Sequence, residues 1–306
     1  MNTSKTLLVV ARKYNDIFYA ISIPEWDQYT QHILVIIAEK NFAENFPLPN
    51  IFNDIIKIKY SGKRSGNFQI IQDINIIKKR IQCSTITMSN IVLSANMYLI
   101  KVSGAKTLLL LEDGLMNYYD FQPSQSRTKQ TVQWLLGINE RKIFNSISKT
   151  YLLAPTLASY YGGDLHQLKL NKELIFKHIK LENLENKVIF VGQCLYKMGY
   201  MSLDVYNERV NKIIQQYNIN YYLPHAFALD GENIDCPRLN LEKSHATLEI
   251  FASQYNFTVY SFCSSVLYTT KIINPNVQSF LIRIPELSNK SDLPIIQKYC
   301  NGIIDF

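Results

Sequence analysis

The sequence has few cysteines, and their arrangement excludes two common roles. Cys83, Cys194, Cys236, Cys263 and Cys300 are scattered, odd in number and form no C-x-x-C pair. A disulfide framework or a zinc site is therefore not expected, and a reducing compartment is. No H-x-x-x-H or His/Asp cluster suggests a metal centre. The G-x-G-x-x-G and P-loop patterns are missing, and so is G-x-S-x-G. Dehydrogenase, kinase and serine hydrolase chemistry are correspondingly disfavoured. No apolar run is long enough for a membrane span or an export signal: Leu7–Ala11 is closed by Arg12 and Lys13. The expectation is a cytoplasmic chain, at most peripheral on an anionic inner-membrane surface. Repeats and low-complexity tracts are also missing.

What is present is enough apolar material for substantial cores. The chain has 306 residues, 47% of them hydrophobic, a length that suits two ordinary domains. Its formal charge of +7 is uneven: residues 1–180 carry +9 and residues 181–306 carry −2. Basic clusters occur at Lys57/Lys59/Lys63/Arg64 and Lys78/Lys79/Arg80. Such a front half suits an anionic membrane or glycan, with a merely solvated surface as the bland alternative. Nucleic acid is not an expected partner, because no binding motif or interleaved stacking aromatics occur.

Short apolar runs alternate with amphipathic stretches. Strands are predicted at Leu7–Ala11, Ile33–Ile37, Ile55–Tyr60, Asn90–Ser94, Thr107–Leu111 and Tyr151–Ala154, then at Val188–Val191, Asn220–Leu223, Phe257–Phe262 and Gln278–Ile282. Continuous apolar runs suit strands buried on both faces of a parallel sheet. Helices are predicted over Thr128–Ile147, Asp204–Tyr217 and Lys243–Tyr255, which makes the class α/β. The charged, aperiodic stretch Leu170–Lys187 reads as the boundary between domains 1–180 and 181–306. A last helix near Leu293–Cys300 is expected to cross back to the first domain. Ligands of such sheets bind beyond the carboxyl ends of the strands.

Three motifs stand at those ends. Glu112-Asp113-Gly114 follows a run of leucines; adjacent carboxylates repel, which suits one of them to accepting a proton, and Gly114 lets backbone approach a ligand. A strand-end turn is the simpler explanation. Pro224 must stop its strand, which fixes His225 where it can donate to a phosphate or protonate it; a structural histidine is the alternative. His32, His166, His178 and His245 have no comparable setting. Ser264-Ser265 lies between a strand and a helix, where hydroxyls and free N–H groups bind anions and where serine also serves as an N-cap. Gly192-Gln193 closes a further strand and is a weaker candidate for a nucleotide-facing turn.

In this order the motifs resemble those of bacterial sialyltransferases, the lipooligosaccharide enzymes of glycosyltransferase family 52 and the related capsule polysialyltransferases. Residues 90–270 carry the resemblance, through Glu112-Asp113-Gly114, Tyr222-Leu223-Pro224-His225 and Ser264-Ser265. It departs at Ala226, where the family has proline, and at Phe227, where a basic residue is common. The resemblance implies a GT-B fold, two Rossmann-like domains facing a central cleft. Domain 1–180 would take the acceptor and domain 181–306 a CMP-sugar donor. It implies inverting transfer of sialic acid to a hydroxyl of lipooligosaccharide or capsule, with no cofactor and no obligatory metal. Asp113 would be the base, with Glu112 as partner or substitute and Asp204 as the alternative. His225 would be the acid. Gly192, Gln193, Pro224, Ser264 and Ser265 would lie on the donor side, and Gly114 and Asn117 on the acceptor side. Other CMP-linked nonulosonic acids (pseudaminic, legionaminic) or Kdo remain open as donors. So do a non-catalytic glycan- or nucleotide-binding module and a peripheral scaffold for surface-polysaccharide assembly.

Overall fold

The computed structural model describes residues 5–39, 50–60, 64–119, 127–225, 228, 231–241, 246–287 and 294–306. Lys63, Ala226, Phe227, Lys243, His245 and Leu293 lie outside them. The chain divides into two compact units, residues 1–178 and 179–306.

In the first unit the described strands are β1 (Thr6–Ala11), β2 (Gln31–Glu39), β3 (Asp54–Tyr60), β4 (Thr85–Met88), β5 (Thr107–Leu111), β6 (Ile147–Leu152) and β7 (Asp164–Gln167). They form one sheet in the order β3-β2-β1-β4-β5-β6-β7, every pair parallel. β1 is buried along its whole length, as a central strand covered on both faces must be. The strand order reverses between β1 and β4, a topological switch point of the kind at whose carboxyl ends parallel sheets bind ligands. Helices α1 (Tyr14–Ala20), α2 (Arg64–Ile77), α3 (Ser94–Ser103), α4 (Arg127–Leu135), α5 (Glu140–Asn145) and α6 (Lys172–Phe176) accompany it.

The second unit holds β8 (Val188–Val191), β9 (Tyr221–Leu223), β10 (Thr258–Ser261), β11 (Gln278–Arg283) and β12 (Gly302–Asp305). These are parallel in the order β12-β11-β10-β8-β9, with a switch point between β8 and β10. Its helices are α7 (Leu203–Gln216), α8 (Leu248–Ala252), α9 (Val266–Ile273) and α10 (Pro294–Tyr299). In α7 the Ser202 hydroxyl accepts from Val205 N, and Tyr206, Val210, Ile213 and Ile214 form the buried stripe.

Three local expectations fail for physical reasons. Asn90–Ser94 is not a strand. The strand is Thr85–Met88, whose buried threonines hide it from an apolar-run search, while the Asn90 side chain accepts from Val92 N at 3.0 Å and turns the chain into α3. The stretch 128–147 is two helices. Gly137, at φ +59°, ends the first, the Asn139 side chain caps the second at Lys142 N, and Ile147 opens β6. The last helix stays with the second unit, packing on α9 and leading into β12, which pairs with β11.

Candidate active site

The first unit's polar cluster gathers at the carboxyl ends of β1, β4 and β5. Asp16, at the start of α1, is fully buried and anchors it. One carboxylate oxygen accepts from the backbone N–H groups of Arg12 at 2.7 Å and Lys13 at 3.1 Å, the other from the Ser89 hydroxyl at 2.7 Å. Burial pushes the Asp16 pKa up despite the neighbouring Lys13. The loop it fixes carries Lys13, whose Nζ lies 2.9 Å from Asp113 Oδ1; the side chains are 45% and 13% exposed. Asn90 Nδ2 donates to the other Asp113 oxygen at 2.9 Å. Asp113 is thus held on both oxygens yet reachable from solvent.

Glu112 lies the other way. It is buried, accepts from the Tyr118 hydroxyl, and accepts from Leu153 N at 2.9 Å. Burial raises its pKa to about 7, against the lowering effect of those two donors. Asn117 is buried too: its carbonyl oxygen accepts from Asp113 N at 2.7 Å and its amide donates to Tyr160 O at 3.1 Å. That gives Asn117 the work of shaping the loop. Gly114 has φ +78° and begins a 3-10 turn, Gly114–Asn117, that side-chain-bearing residues rarely enter.

In the second unit, the ends of β8, β9 and β10 bring Gly192-Gln193, Pro224-His225 and Cys263-Ser264-Ser265 to one edge. Gln193 bridges the switch point. Its amide donates to Cys263 O and its side-chain oxygen accepts from Cys263 N at 2.9 Å. Gly192 is required because a Cβ there would overlap the Tyr222 hydroxyl. Both residues of this turn therefore hold the backbone that shapes the edge. Ser264 and Ser265 are half-buried at the start of α9, and Ser264 Oγ accepts from Val266 N at 3.4 Å. The Ser265 side chain makes no capping hydrogen bond.

His225 follows β9 and is half-buried. Burial lowers its pKa; Glu232 opposes that and Lys197 adds to it. Glu232 is a residue that motif spacing missed. It is buried and accepts from the Tyr222 and Tyr196 hydroxyls, each at 2.8 Å, while Tyr222 also meets the Tyr206 hydroxyl at 3.2 Å. Tyr206 in turn accepts from Gln193 N at 3.0 Å. An acid seven residues after His225 was the available signal, but its tyrosine partners are far apart in sequence. Lys13, Asn90 and Asp16 were missed in the same way. Asp204 is exposed on the first turn of α7, a position that favours any carboxylate through the helix dipole.

No protein-family model matches the chain, and no curated protein matches its sequence. Solved structures match its fold. The spinosyn forosaminyltransferase SpnP aligns over 99% of this chain and 86% of its own, with TM-score 0.55 and 9% identity. MnaA of S. aureus, solved with UDP, aligns over 93% and 81%, with TM-score 0.53 and 10% identity. The UDP-N-acetylglucosamine 2-epimerase of Rickettsia bellii aligns over 96% and 86%, with TM-score 0.51 and 13% identity. With its two parallel sheets, the chain has the GT-B fold shared by these proteins.

Proposed function

We propose that this chain is an inverting glycosyltransferase that takes a sugar from a nucleotide donor and places it on a glycan hydroxyl. The observation that carries the proposal is Asp113, a reachable carboxylate held on both oxygens beyond the carboxyl end of a GT-B sheet. Asp113 would accept the acceptor's hydroxyl proton as that oxygen attacks the anomeric carbon. The bond from that carbon to the donor phosphate breaks, and the electron pair leaves with the nucleotide. In the second unit His225 and the Ser264–Ser265 start of α9 would receive the phosphate. With its pKa below the ordinary value, His225 is neutral at neutral pH and offers one ring N–H. A bound phosphate would raise that pKa and populate the protonated imidazolium that can act as the acid.

The donor we favour is CMP-sialic acid or a related CMP-linked nonulosonic acid, on the strength of the three motifs and their order. The acceptor would be a lipooligosaccharide or capsule glycan, taken by the first unit, with the donor taken by the second. Five free cysteines suit a reducing compartment, and a cytoplasmic reaction is part of this proposal. Purified protein incubated with CMP-sialic acid and a galactose-terminated acceptor, with EDTA present, should release CMP faster than without acceptor. Loss of that stimulation in both Asp113→Asn and His225→Ala is expected. Full turnover in both folded variants would refute the assignment.

A second reading rests on the two UDP-linked neighbours: epimerisation of a nucleotide sugar at C2. Proton NMR of UDP-N-acetylglucosamine incubated with the protein separates the two. A new C2 isomer without nucleotide release would replace the transferase reading.

A further inference from the structure

The amino edge of the first unit's sheet, opposite the Asp113 cluster, carries an unusual combination of side chains. The carboxyl ends of three neighbouring helices are tied together there. Gln82 Nε2 donates to Lys78 O at 2.7 Å and to Val102 O at 2.8 Å, joining the end of α2 to the end of α3. Lys101 Nζ donates to Leu136 O at 2.8 Å, joining α3 to the end of α4. Tyr98 on α3 also donates to Asn75 on α2 at 2.6 Å. At these helix ends stand three large apolar residues left in water: Ile76, 79% exposed, Trp134, 78%, and Leu135, 69%. Single exposed apolar residues are ordinary; tryptophan, leucine and isoleucine together on one clamped edge are not.

The exposed charges around them are mostly positive. Lys78, Lys79, Arg141 and Lys142 are exposed. The carboxylates close by already have partners: Asp54 pairs with Arg80 at 2.7 Å, Glu140 with Lys129 at 3.1 Å, and Asp73 accepts from Gln69 at 2.9 Å. Among the described residues no helix is long and apolar enough to cross a membrane.

We infer that this edge docks onto an anionic phospholipid surface. Trp134, Leu135 and Ile76 enter the headgroup boundary, and the lysines and arginines contact lipid phosphates. Tryptophan prefers that boundary, and a shallow apolar wedge ringed by cations is the chemistry of interfacial binding. Membrane binding is thereby separable from the chemistry, since the Asp113 cluster sits at the other end of the same strands.

The chain's composition supplies the assay. It has two tryptophans, and the other one, Trp26, is buried against His32, with ring centroids 3.9 Å apart. A blue shift of tryptophan emission on adding vesicles of mixed phosphatidylcholine and phosphatidylglycerol, together with co-sedimentation, is expected. Phosphatidylcholine alone should give neither. Trp134→Phe should bind but lose the shift. Lys78→Glu with Lys79→Glu should weaken binding roughly tenfold or more. Far-UV circular dichroism checks that these surface variants are folded. No shift with anionic vesicles, or equal binding to neutral ones, would overturn the inference. So would a shift that follows protein concentration without lipid, which marks a self-association face, or one produced only by RNA.

Discussion

Replacing Glu112 by Gln should make the first unit more stable, and the gain should appear only above acid pH. Glu112 is fully buried and its pKa rises from 4.5 to about 7. The folded state therefore holds a proton that the unfolded chain has already released between those values. Stability from this group is complete below pH 4.5, falls as pH climbs, and is lost above about pH 7. The shift corresponds to about 3 kcal/mol, at about 1.4 kcal/mol per pH unit. Glutamine keeps an oxygen for Leu153 N and the Tyr118 hydroxyl and has no charge to bury. For a unit of this size the difference between Glu112→Gln and the parent should grow by roughly 6–12 °C in Tm from acid to mildly alkaline pH. Both tryptophans, Trp26 and Trp134, lie in the first unit, so tryptophan fluorescence follows that unit's melting alone. Asp16, also buried with a raised pKa, leaves a residual slope of the same sign. Parallel pH profiles for parent and variant would refute the reasoning, because they would mean that Glu112 is not carrying a buried charge at neutral pH.

Three further outcomes follow from the two sites. Asp113→Asn should lower kcat by about 10²–10⁴ with little change in Tm, because the Lys13 pair it breaks is half in solvent and contributes at most about 1 kcal/mol; CMP release against acceptor concentration measures it. Gly192→Ala should destabilise the second unit by about 1–3 kcal/mol, read by far-UV circular dichroism, since the Tyr222 hydroxyl it strikes is fixed by Glu232 and Tyr206. For His225 the folded pKa lies below 6.5, so its contribution to stability is present above pH 6.5 and disappears as pH falls through the lower, folded value; acid melting of the second unit should be less steep in His225→Gln.

The central strands were legible because burial on both faces leaves a continuous apolar run, as in Thr107–Leu111 and Val188–Val191. β4 was not, because Thr85 and Thr87 lie buried inside the sheet, where composition suggests a loop. β7, written Asp-Leu-His-Gln at the sheet edge, and the terminal β12 carry too little apolar sequence to stand out. The α/β class and the GT-B arrangement of two parallel sheets survive such misses, since alternation of strand and helix sets them rather than any one boundary. Side-chain partners are another matter. Lys13 and Asp113 are 100 positions apart and Gln193 and Cys263 are 70 apart. No local pattern announces such pairs, because strand order creates them.

The adjacent pair Glu112 and Asp113 shows why chemistry at a strand end needs geometry as well as residue type. A perturbed pKa is a common mark of a catalytic group, and by that mark Glu112, at about 7, is the better base. Yet consecutive residues leave a strand on opposite sides. Glu112 turns inward, where a tyrosine hydroxyl and a backbone N–H close around it. Asp113 turns to an ammonium and an amide that fix it and leave part of it exposed. A general base must first reach the proton it removes, so within the proposed reaction reach favours Asp113, and the shifted pKa of Glu112 reports chiefly its burial. The second unit divides its groups the same way: Gln193 and Glu232 hold backbone and tyrosines in place, and half-buried His225, Ser264 and Ser265 stand at the edge they shape.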